Sequence, residues 1–104
     1  MTVISSDGLF EWDSEKDAAN IRKHGISFTD AAEVFDDPYL LSLYDEYHSS
    51  PEEERYFSVG CIRSIVVVAV CHTERNGRMR IISARKAERK LEDLYYGWLS
   101  EIIR

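Results

Sequence analysis

The chain is short of several things. It has two cysteines and two prolines in 104 residues. Its longest apolar run, "IVVVAVC" at Ile65–Cys71, is seven residues, and a helix needs about 20 to cross a bilayer. The N-terminus "MTVISSDGLFEW" lacks both a basic start and a sustained apolar stretch, so no signal peptide is read. A cytoplasmic protein with no membrane segment is expected. Cys61 and Cys71 are accompanied by only three scattered histidines. No zinc-site spacing results, and in a reducing cytosol both cysteines read as plain thiols. Repeats and low-complexity segments are absent, as are helix-turn-helix and zinc-finger patterns, so DNA binding by this chain is not expected. The length points to one domain, 1–104, able to bury a core without staples.

Positive charge is also scarce, and it is unevenly placed. Thirteen Lys/Arg face nineteen Asp/Glu, for a net charge of −6. Residues 1–54 carry three basic and fourteen acidic side chains, and residues 55–104 carry ten and five. Within residues 75–90, seven cations (Arg75, Arg78, Arg80, Arg85, Lys86, Arg89, Lys90) meet one acid, Glu88. Such polarity in an acidic chain points to one face built for a polyanion or an acidic partner.

The pattern along the chain is mixed. "LFEWD" alternates like a short strand. "DSEKDAANIRKHG" has helix grammar: a cap at Asp13 or Ser14, acids in the first turn, Lys23 and His24 in the last, and Gly25 as the stop. "SFTDAAEVFDDP" repeats it, ending at Asp37-Pro38. "YLLSLYD" reads as a strand and Glu46–Glu54 as an exposed acidic loop. Three strands follow: "RYFSVG", the uniformly apolar "SIVVVAVCH" as the central one, and "RMRIISA". The last two are joined by Asn76-Gly77, the strongest short hairpin signal. Residues 91–104 form an amphipathic helix with Leu91, Leu94, Tyr95, Trp98 and Ile102 in one stripe. The order β-α-α-β-β-β-β-α predicts an α+β fold with a small, largely antiparallel β-sheet flanked by helices.

"FEWD…KDAANIRKHGISFTDAAEVFDDP", "EERYFSVG" and "HTERNGRMRIISARKAERK" together resemble the BrnT family over about residues 10–90. These are toxins of bacterial type II toxin–antitoxin modules with a RelE-like ribonuclease fold. The resemblance implies an endoribonuclease that cleaves RNA and inhibits translation without a metal or other cofactor. It also implies a BrnA-like antitoxin partner, with a DNA-binding part that represses the operon and another part that covers the toxin.

The residues are compatible with that chemistry. Cleavage through the 2′-hydroxyl needs a base, an acid and cations that neutralise the phosphate. Arginine suits the last role, because its planar fork grips two oxygens and never loses its charge. Arg80, flanked by apolar residues, is either a phosphate ligand or an ion-paired structural group, and Arg85 reads the same way. A regular strand sends the two to opposite faces unless a bulge intervenes. Residues 84–86 are expected to leave the sheet, which frees Arg85 to turn. Arg75 and Arg78 flank the turn, and Lys86, Arg89 and Lys90 open the last helix. These five are solvated cations or general RNA contacts. His24 caps a helix end or serves the reaction, and Lys23 beside it neutralises phosphate or caps. His72 closes the central strand and can line the face of the arginines. Glu54 is either a general base or the ion-pair partner of Arg80 or Arg85. His48 and Tyr56 read mainly as surface and packing residues. The competing reading is a non-catalytic RelE-like module that only engages an antitoxin or RNA. The two part on whether a base–acid pair exists near Arg80 and Arg85.

Overall fold

The computed structural model describes residues 1–103. Its strands are β1 (Thr2–Ile4), β2 (Phe10–Asp13), β3 (Leu41–Tyr44), β4 (Arg55–Ile62), β5 (Val66–Arg75) and β6 (Arg78–Lys86). Between β2 and β3 lie α1 (Ser14–His24), α2 (Phe28–Ala31) and a 3-10 helix, Ala32–Asp36, and α3 (Arg89–Ile102) follows β6. The six strands form one sheet in the order β1-β2-β6-β5-β4-β3.

The helix signals act where the sequence places them. The Asp13 side chain accepts from the Lys16 N–H at 3.0 Å, and Gly25 ends α1 at φ 72°. Ser27 caps α2 through the Asp30 N–H. The second helix is not continuous: after one turn it tightens into 3-10 winding up to Asp37. The Asn76-Gly77 turn has φ of 56° and 75°, which matches the right-handed twist of its strands. The β4–β5 turn uses the same left-handed geometry at Arg63 and Ser64. No glycine there announces it.

Three expectations are corrected. The sheet is mixed, because β2 runs parallel to β6 through the pairs Phe10↔Met79 and Glu11↔Arg80. A further strand, β1, pairs with β2 and adds an element ahead of the expected order. Residues 84–86 stay in β6, paired to β5 as far as Val68↔Lys86. β2 covers only the start of β6, and beyond it Asn20 of α1 takes the strand's place. Its Nδ2 donates to the Ala84 carbonyl at 2.8 Å and its Oδ1 accepts from the Ala84 N–H at 3.1 Å. That satisfies an edge that would otherwise be open.

The two faces of the sheet are packed differently. On one, Trp12, Val68, Val70, Ile81 and Ala84 meet Phe28, Ala31 and Val34 in the main core. On the other, α3 lays Leu91, Tyr95 and Leu99 on Val59, Val67, Ala69 and Ala87. The expected stripe of α3 is only partly inward: Leu94, Trp98 and Ile102 are exposed. Arg104, the last residue of the expected helix, lies outside the described residues.

Candidate functional site

A single irregularity shapes the candidate site. Cys71 is opposite Ser83, yet the next residue of β5, His72, is opposite Ile81. Ile82 is therefore an extra residue, a bulge that reverses the alternation of β6. Ile81 and Ala84 both point into the main core as a result. Arg80, Ser83 and Arg85 share the opposite face, aligned with Thr73, Cys71 and Ala69. The partners of Arg80 and Arg85, Thr73 and Ala69, lie four positions apart on β5, which sets the two arginine Cα atoms about 13 Å apart.

That face is only half covered. α3 lies over Val59, Val67 and Ala69. Towards the β5–β6 turn, the row Arg55–Thr73–Arg80–Glu11 crosses four adjacent strands in direct register. Glu11 Oε2 accepts from Arg80 Nη1 at 2.6 Å, and the two side chains are 2% and 16% exposed. Arg80 is thus clamped by a carboxylate that water scarcely reaches, with its remaining donors uncommitted to any other hydrogen bond among the described residues. Along the same row, Glu53 bridges Arg55 at 2.7 Å and Arg75 at 3.0 Å. The Arg55 hydrogen bond, with Arg75 adding to it, holds the Glu53 carboxyl below its usual range. Arg85 pairs with Glu88 at 3.4 Å and is half exposed. Arg89 pairs with Asp93 at 3.3 Å. Lys86 and Lys90 are exposed.

Lys23 and His24 reach the same strand from the side. With Lys16, Asn20, Ile82 and Ser83 they line a cleft of about 220 Å³ between α1 and the bulge. Lys23 and His24 thus meet β6 at the bulge, between the positions of Arg80 and Arg85 along the strand.

Glu54 and His72 stand elsewhere. The Glu54 carboxylate accepts from the Tyr56 hydroxyl at 3.2 Å and raises that phenol's pKa by its charge. The acid set among arginines is Glu53, one residue earlier, and the partner of Arg80 is Glu11. His72 alternates onto the core face, away from the arginines, where it meets Phe35 edge-on at 5.1 Å. Its Nε2 is 2.7 Å from Ser58 Oγ, which is 2.8 Å from Ser42 Oγ. Burial pushes its pKa down to about 4, so the imidazole is neutral near pH 7.

Glu11 was missed by sequence reading. Its signal is an acid between Phe10 and Trp12, two core aromatics, in a strand whose alternation sends it to the other face. Among the described residues no three His, Cys, Asp or Glu side chains converge as metal ligands, and no helix is long and apolar enough to cross a membrane.

The chain is an α+β protein: a mixed sheet with α2 and the 3-10 helix packed on one face and α3 over half of the other, where Glu11 clamps Arg80. The crystal structure of the ribonuclease toxin BrnT of Brucella abortus is similar, with a TM-score of 0.55 and 25% identity, over 75% of this chain and 94% of that one. The model of the family described as "Ribonuclease toxin, BrnT, of type II toxin-antitoxin system" matches residues 12–90. The chain belongs to this family. No curated protein matches it. The family match ends at Lys90, so nearly all of α3 lies beyond it.

Proposed function

We propose that the chain is a single-domain, metal-independent endoribonuclease of RelE-like design. It cleaves RNA in the cytoplasm, blocks translation, and is neutralised by a BrnA-like antitoxin that carries the DNA-binding part. The observation that carries this reading is the bulge at Ile82. It puts Arg80, Ser83 and Arg85 on one sheet face, which α3 covers only in part.

The reaction runs on the strand's own atoms. The 2′-oxygen attacks the neighbouring phosphorus, a new P–O2′ bond forms, and the P–O5′ bond breaks. The 2′-hydroxyl gives its proton to a base, and the leaving 5′-oxygen takes one from an acid. Arg80, held rigid by Glu11, and Arg85 neutralise the charge that builds on the phosphoryl oxygens. Lys23 and His24, beside Ser83, are the groups near β6 that supply and accept protons. Glu54 and His72 act from the other face, on substrate placement rather than on the scissile phosphate. Arg75, Arg78, Lys86, Arg89 and Lys90 extend the cationic track along the backbone.

Mapping RNA ends by primer extension after incubation with purified protein tests this. Cleavage that persists in EDTA and disappears in Arg80→Ala is expected. Cleavage abolished by EDTA would overturn the metal-free route. Tight antitoxin and RNA binding with no cleavage by the parent protein would leave a binding module instead.

A further inference from the structure

We propose that the hollow formed by Tyr56, His72 and Met79 beside the β5–β6 turn is a subsite for one unstacked RNA base, guanine. It rests on the ribonuclease reading above. The hollow has a volume of about 400 Å³ and is also lined by Glu74, Gly77 and Arg78. That lies within the roughly 300–1,000 Å³ of small-molecule sites.

Its floor is aromatic. The Tyr56 ring stacks on His72 at 6.0 Å and 21°, Tyr44 braces Tyr56 edge-on at 5.5 Å, and Phe35 backs His72. A rigid platform of this kind takes a planar base face without regard to sequence. Its rim discriminates. Glu74 and Arg78 both line the hollow, yet they form no ion pair with each other or with any other described residue. Arg78 spends only its Nε–H, on the Gly8 carbonyl at 3.1 Å, which leaves the terminal nitrogens to donate. An unpaired acid and an unpaired base over one apolar floor match guanine, which shows donors at N1 and N2 on one edge and acceptors at O6 and N7 on another. Adenine places an acceptor where the second carboxylate oxygen would need a donor.

His72 adds a third contact. Its Nε2 is taken by Ser58, and its Nδ1 has no partner. No buried side-chain nitrogen or oxygen among the described residues lacks one, so Nδ1 is open to a guest. The neutral ring offers a hydrogen bond and no charge. Position fits as well: Met79 faces the hollow and its neighbour Arg80 faces the phosphate side. An RNA strand that rounds the β5–β6 turn can seat a base in the hollow and place a phosphate a nucleotide or two further along against Arg80.

The test uses the purified full chain and oligoribonucleotides that differ at one position: guanine, inosine, adenine or uracil. Guanine a nucleotide or two from the cut should be preferred by about 10- to 100-fold, the size of one bidentate contact, with inosine between guanine and adenine. Glu74→Gln, at an exposed position, should erase the preference by raising KM for the guanine substrate while kcat holds. Met79→Ala should weaken all four bases alike. Equal cleavage of the four by the parent, or an unchanged preference in Glu74→Gln, overturns the subsite. Glu74→Gln that weakens the antitoxin complex and leaves base preference intact assigns the hollow to the partner, and also overturns it. Should the parent cleave nothing, the ribonuclease reading fails. The subsite is then decided by tyrosine fluorescence quenching, in which GMP must bind at least 10-fold tighter than AMP for it to stand.

Discussion

The two faces of the sheet solve different problems with the same strands. On the core face, Trp12, Phe28, Val34 and Ile81 interlock and nothing charged enters the cluster. On the other, α3 covers one half, while Glu11, Thr73 and Arg80 sit in the half it leaves. Thr73 and Glu11 are nonetheless 3% and 1% exposed. The apolar cluster at the heart of the core face can be stable and chemically inert. A working face must hold charges dry and leave them reachable, and a buried ion pair in direct register is one way to do both.

The largest expected effect falls on the working face. Arg80→Ala should lower kcat/KM for RNA by about 100- to 1,000-fold. It should also cost about 3 kcal/mol in urea unfolding, because a buried Glu11 carboxylate is left alone. The double variant Arg80→Met with Glu11→Leu should regain the stability and none of the cleavage, which separates the two roles. A double variant that cleaves RNA would remove Arg80 from the chemistry.

Next comes pH, on the core face. His72 has a folded pKa of about 4 against an ordinary value of 6.5. Between those values the unfolded chain binds a proton that the folded chain refuses. Stability should therefore be flat above about pH 6.5 and fall by about 3 kcal/mol as pH drops to 4. His72→Leu should flatten that decline when unfolding is followed across the same range. The carboxyls of Asp37 and Glu53, both held low, add their own loss as they titrate at the acid end, and this residual slope should survive in the variant.

Asn20→Ala opens the edge of β6 and strands the Ala84 amide and carbonyl, along with the Ile26 carbonyl that also accepts from Asn20. A loss of about 2 kcal/mol is expected, with faster amide exchange at Ala84. The smallest effects belong to the track of exposed cations. Lys86→Ala and Lys90→Ala should each weaken RNA binding a few-fold and lower the slope of log K against log salt by about 0.7. Unchanged slopes would place the RNA path away from the start of α3.

Much of the fold was legible because its signals are local. Asp13 and Gly25 bracket α1, Asn76-Gly77 makes the hairpin, and the apolar run of β5 sits inside the sheet with a neighbour on each side. The parallel pairing of β2 with β6 was not legible, since residues 69 positions apart chose each other through packing. The site was half legible. Arg80 and Arg85 stand out as cations in a strand, but their common face depends on one extra residue at Ile82, and no property of isoleucine announces a bulge. Glu54 drew attention as a general base or a partner of Arg80 or Arg85, whereas the register gave the arginine bridge to Glu53 and the buried clamp to Glu11.

Element types, caps, turns and the charge imbalance follow from the residues themselves, because each depends on neighbours within a few positions. Which carboxylate meets which guanidinium, and which face the cations share, is a property of the folded chain. Those distances are set by strand pairing and by a single register slip, and both are settled by how the whole core closes.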